Sequence, residues 1–133
     1  MSPGGVDAES ARRKAAETAL NVLAALDHAG RLSGNSKPIS LRGYILARQD
    51  RTDDARDVLR TLEAIARERY VPAYAMALVH AGLGDRDAAF EWLERAFQTG
   101  DVHLLFVPAD PKWDAFRADA RLNALIAKCG FAA

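Results

Sequence analysis

Residues 43–62 read GYILARQDRTDDARDVLRTL, and residues 77–96 read ALVHAGLGDRDAAFEWLERA. Laid one beneath the other, at a shift of 34 residues, they bring the positions that govern packing into coincidence. Gly43 falls on Ala77, Asp50 on Gly84, Ala55 on Ala89, Leu59 on Leu93 and Leu62 on Ala96. A fixed period is a statement about architecture and outranks local motifs. Two antiparallel helices approach closely only where side chains are small. Gly43 and Ala77 meet that need on the first helix of each pair, Ala55 and Ala89 on the second. Gly84 sits in the turn, where a positive φ is expected. Asp50 holds that place in the first copy and tolerates the left-handed region better than most residues. The expectation is an all-α chain built on two helix hairpins, residues 36–69 and 70–103.

Outward from this centre, capping residues and glycines set the other elements. Residues 1–6, with Pro3, Gly4 and Gly5, read as a disordered start. Asp7 then caps an Ala- and Leu-rich helix over residues 7–29, with Gly30 as its stop. Ser36 and Pro38 open the next helix. Thr52 caps its partner, whose first turn holds Asp53 and Asp54 at the positive dipole end. Pro72 opens a helix that Gly82 and Gly84 end, and Asp85 caps the following one. Residues 101–110 are expected to be an extended, partly buried connection. Asp110-Pro111 and Asp119 start two short helices that form a C-terminal cap over residues 110–130.

The pattern resembles the tetratricopeptide repeat, a 34-residue helix-turn-helix unit. Its motif positions are matched by Gly43, Leu46, Ala55, Leu59 and Leu62, then by Ala77, Gly84, Ala89, Leu93 and Ala96. His80 stands where the family usually has an aromatic side chain. The tail Asp110-Pro111-Lys112-Trp113-Asp114, with Arg117, Asp119 and Arg121, is similar to the last repeat of a bacterial group. In that group the segment ends larger proteins, among them adenylyl cyclases, protein kinases and winged-helix regulators. Phe116, Ala120 and Leu122 depart from the group's usual residues. The resemblance covers residues 36–131. It implies a right-handed solenoid of two repeats with capping helices, whose concave side binds a protein or peptide without catalysis. On that side it places Lys37, Ser40, Tyr44 and Arg48 from the first repeat, and Tyr74 and Leu78 from the second. Tyrosine and arginine are common interface anchors; the alternative is that Tyr44 and Tyr74 pack only against neighbouring helices. Chaperone-binding members clamp a C-terminal carboxylate with lysine and asparagine at set positions. Ser40 and Tyr44 stand at two of those positions here, so that specificity is not expected.

Composition bounds the rest. The chain has 133 residues, half of them apolar, with 18 basic and 18 acidic side chains. A zero balance argues against nucleic acid as a partner, because phosphate binding needs a concentrated positive field. Cys129, the single cysteine, excludes an intrachain disulfide and a cysteine metal cluster. No apolar run approaches a membrane span, and Met1 to Ala11 hold no signal-peptide core. A cytoplasmic, non-membrane protein with no cofactor and no metal is expected.

No constellation of catalytic residues emerges. His28, His80 and His103 are scattered, without metal-ligand spacing. His80 lies on a buried face and reads as a satisfied core histidine. Gly82 and Gly84 lack the lysine and hydroxyl residue of a phosphate loop. The aspartates at helix starts compensate dipoles. Trp92 and Trp113 read as core residues. The apolar surface of residues 8–29 is wider than one neighbour covers. It raises a second expectation, self-association through the first helix, against the alternative that this helix packs wholly within its own chain. A regulatory module of a bacterial signalling or transcription system is the third.

Overall fold

The computed structural model describes residues 8–33 and 35–130, and within them every regular element is helical. The expected start at residues 1–6 lies outside the described residues. The order is α1 (Ala8–Ser33), α2 (Ser36–Arg48), α3 (Thr52–Ala66), α4 (Ala73–Leu83) and α5 (Arg86–Gln98). A first 3-10 helix (Val102–Phe106), a second (Pro111–Phe116) and α6 (Ala120–Lys128) follow.

The α2–α3 and α4–α5 pairs form hairpins that lie side by side, with α2 against α4 and α3 against α4. Their turns are built alike. Asp50 N–H donates to Ala47 O at 3.1 Å, and Arg51 N–H to Leu46 O at 3.0 Å. In the second hairpin Gly84 N–H donates to Ala81 O and Asp85 N–H to His80 O, both at 3.1 Å. These paired bonds satisfy the last helical carbonyls, and they require a left-handed residue after the helix. Asp50 supplies it at φ 61° and Gly84 at φ 75°.

The small residues lie where the helices meet. Ala55, Ala77 and Ala89 are fully buried. A Cβ on Gly43 would stand 2.8 Å from Val58 Cγ1 and 2.9 Å from Val79 Cγ2. Only glycine lets α2 sit this close to both α3 and α4. Gly82 was expected to end α4, but it lies inside that helix. A Cβ there would meet Tyr44 Cδ2 and Tyr44 O at 3.0 Å, so Gly82 is a contact residue against α2.

Other expectations need correction. α1 runs through Gly30 to Ser33, since a glycine ends a helix only where the chain turns. Asn35, not Ser36, caps α2, accepting the Lys37 N–H at 2.9 Å. Arg51 holds the cap position of α3 and makes no side-chain cap bond, so Thr52 is the first helical residue. Asp85 caps α5 as expected, accepting from Ala88 N–H. The segment expected to be extended is a 3-10 helix. Its three-residue turn puts Leu104 and Val107 inward and leaves Val102, Leu105 and Phe106 exposed.

Two apolar cores result. One joins Leu23 of α1 to Leu46, Val58, Leu62 and Val79. The other joins Leu78, Phe90 and Leu93 to Trp113, Phe116 and Leu122. The C-terminal cap is thus fused to the second hairpin. α6 is also pinned to α5 by Arg121–Asp87 at 2.7 Å and Lys128–Glu94 at 3.0 Å. α1 packs on α2. Its Leu20 stays 60% exposed, with Val22 beside it.

Candidate functional site: a cleft between the hairpins and the C-terminal cap

A cleft of about 500 Å³ opens where the starts of α2 and α4 face the two 3-10 helices. Its apolar lining includes Leu41, Tyr74, Leu78 and Phe106. Lys37, His103, Asp110 and Lys112 stand around it.

One buried carboxylate assembles the wall. Asp101 has a side chain only 2% exposed. Its Oδ2 accepts the Tyr74 N–H at 3.1 Å, which satisfies the open start of α4. Its Oδ1 accepts the His103 N–H at 3.0 Å, which caps the first 3-10 helix. The same oxygen lies 2.7 Å from His103 Nδ1. The His103 ring stacks on Tyr74 at 5.5 Å between centroids and 15° between planes. Tyr74 Oη in turn accepts a hydrogen bond from the fully buried Trp113 Nε1 at 3.0 Å. Burial pushes the Tyr74 phenol up from its ordinary value, while the Trp113 N–H works the other way. The phenol stays neutral and holds its place in the wall.

The six residues expected in the groove divide. Lys37, Ser40, Tyr74 and Leu78 line the cleft. Ser40 is buried, and its hydroxyl donates to Lys37 O within its own helix. Leu78 is buried in the second core as well as bordering the cleft. Tyr44 is not in the lining; its ring lies against Gly82 at the α2–α4 contact. Arg48 is exposed in the last turn of α2 and is also outside the lining.

His103, Phe106, Asp110 and Lys112 were missed as site residues. A signal for them exists in the sequence. Asp101, Asp110 and Asp119 each precede a basic residue by two positions, and each accepts that residue's N–H. Each carboxylate also pairs with the same residue's basic group. An Asp-x-basic spacing therefore marks a short capped helix with its charge satisfied locally.

His80 is not part of this site. Its side chain is mostly buried, and Nδ1 has no hydrogen-bond partner. The expectation of a satisfied core histidine fails there: the closest carboxylate oxygen, Asp85 Oδ2, is 3.8 Å away. Burial lowers its pKa from the ordinary value, opposed by Asp85. Among the described residues no group of three or more His, Cys, Asp or Glu could hold a metal ion. No described helix is long and apolar enough to cross a membrane.

No family model matches the chain, and neither the curated proteins nor the solved structures contain a match.

Proposed function

We propose that the chain is a non-catalytic interaction module that docks a peptide or protein segment in this cleft. The observation that carries the reading is the exposure of an apolar side chain in the cleft lining. Phe106 lines the cleft yet is 62% exposed, and Val102 and Leu105 of the same 3-10 helix are exposed as well. Apolar area of this kind, rimmed by polar groups, is characteristic of docking sites. The fold reading that goes with it is a two-repeat tetratricopeptide-type right-handed solenoid, capped at both ends. Its support is the 34-residue equivalence of the Asp50 and Gly84 turns and of Ala55 with Ala89. A cytoplasmic regulatory setting in a bacterium belongs to the same reading.

The test is selection of peptides on the immobilised full chain, followed by amide shift mapping. Shifts gathered at Lys37, Tyr74, Leu78, His103 and Phe106 support the reading. Failure to enrich any peptide, or shifts centred elsewhere, overturns it.

A second reading, self-association through α1, is favoured by the exposure of Leu20 and Val22. Sedimentation equilibrium decides it. A mass that rises with concentration, and returns to the monomer in Leu20→Glu, supports it. A strictly monomeric wild type removes it.

A further inference from the structure

Among the described residues, four short-range caps share one geometry, in which an Asn or Asp side chain accepts the N–H two residues on. In three of them the cap is a carboxylate that also pairs with the basic side chain of that second residue. The fourth is Asn35 with Lys37, at the mouth of the cleft. Its amide carries no charge, and Lys37 makes no ion pair among the described residues. The lining therefore holds two lysines against one aspartate. That aspartate, Asp110, already accepts the Lys112 N–H and its ammonium.

We propose that the cleft takes an extended, acidic peptide segment of another protein, with His103 as the residue that orients it. The proposal rests on the reading of the cleft as a partner-binding groove and adds the chemistry of the partner. The ammonium of Lys37, outside any ion pair among the described residues, beside an apolar lining favours a segment that alternates carboxylates with bulky apolar side chains. It disfavours a basic one.

His103 supplies the polar reading head. Asp101 accepts backbone N–H groups on both of its oxygens, so it is the acceptor in the short contact to Nδ1. The ring hydrogen in that contact is then on Nδ1, and Nε2 is the ring nitrogen left to meet a ligand. Nε2 has no hydrogen-bond partner among the described residues, and stacking on Tyr74 fixes the ring plane. An extended chain points alternate side chains to opposite faces and offers its N–H groups at the edge. One backbone group of such a segment hydrogen-bonds Nε2 while a neighbouring apolar side chain enters the cleft and a carboxylate reaches Lys37. His103 acts by holding the segment; no bond is made or broken.

The experiment uses the full chain and two fluorescein-labelled pools of degenerate twelve-residue peptides. One pool is built from Glu, Asp, Leu, Phe and Gly; the other has Lys and Arg in place of the acids. By anisotropy the acidic pool should bind about tenfold more tightly. Lys37→Ala should collapse that preference, and Phe106→Ala should weaken binding itself. His103→Phe, which can retain the stack on Tyr74, should weaken the acidic pool about threefold to tenfold. That variant can also unsettle Asp101, so the wild-type His103 Nε2 resonance gives an independent readout. It should shift as the acidic pool is added. Equal or tighter binding of the basic pool, still weakened by Phe106→Ala, overturns the acidic partner and leaves the groove standing. Binding indifferent to Phe106→Ala overturns the groove with it. No binding by the acidic pool, or an unmoved Nε2 resonance, also sinks the proposal.

Discussion

Asp50 and Gly84 stand 34 residues apart and close the same turn, each in the left-handed region after a helix and each donating to the carbonyl three residues back. A Cβ in that region meets the following carbonyl, which costs about 1–2 kcal/mol. The first hairpin carries that strain and the second does not.

Asp50→Gly should therefore stabilise the chain by roughly 0.5–1 kcal/mol, the strain relief being partly offset by greater freedom of the unfolded chain. Gly84→Ala should destabilise it by about 1–2 kcal/mol, although open space surrounds the position. Urea midpoints of the two variants check both signs. Two shifts of the same sign would deny the turns their common geometry.

Gly43→Ala should cost about 1–3 kcal/mol, because the new methyl must displace Val58 and Val79. Val58→Ala opens space at that point, so the double variant should lose less than the two single losses added together. Simple additivity would place the α2–α3 contact elsewhere.

His80 gives stability a pH dependence whose sign follows from its buried, unpartnered Nδ1. Its folded pKa is lowered, so below about pH 6.5 the unfolded chain binds the proton first. The His80 contribution is full above that pH and declines as pH falls towards the folded pKa. His80→Leu should reduce the loss of stability between about pH 7.5 and pH 5, followed by denaturant titration at each pH. An unchanged slope would mean that His80 takes up its proton in the fold without penalty.

Tyr74→Phe removes the acceptor for the buried Trp113 indole N–H. The loss should be about 1–3 kcal/mol, the usual cost of a stranded buried donor. Thermal unfolding measures it, and Trp113 emission reports the changed surroundings. A neutral result would show that another acceptor replaces the phenol.

Much of the helical framework was legible. The capping aspartates Asp85, Asp110 and Asp119 each do what their residue type and position imply. Lys37, Ser40, Tyr74 and Leu78 meet at the cleft because α2 and α4 line it with the expected faces. Tyr44 and Arg48 fall outside the cleft because helical spacing orders residues along a face without saying where its neighbour lies. The missed wall came from reading residues 101–110 as extended. Their apolar run has no clear period, and the three-residue turn that sorts Leu104 from Leu105 depends on the Asp101 cap.

By itself the sequence determined where the chain turns and which residues mesh, because left-handed φ, helix caps and 3.6-residue spacing act over a few neighbours. Tertiary structure alone decided the cleft. Asp101 reaches Tyr74 across 27 positions and Trp113 reaches it across 39. Gly82 is a contact residue only because α2 lies against α4 there. Such pairings depend on where packed helices bring distant segments together, and no local pattern carries that distance.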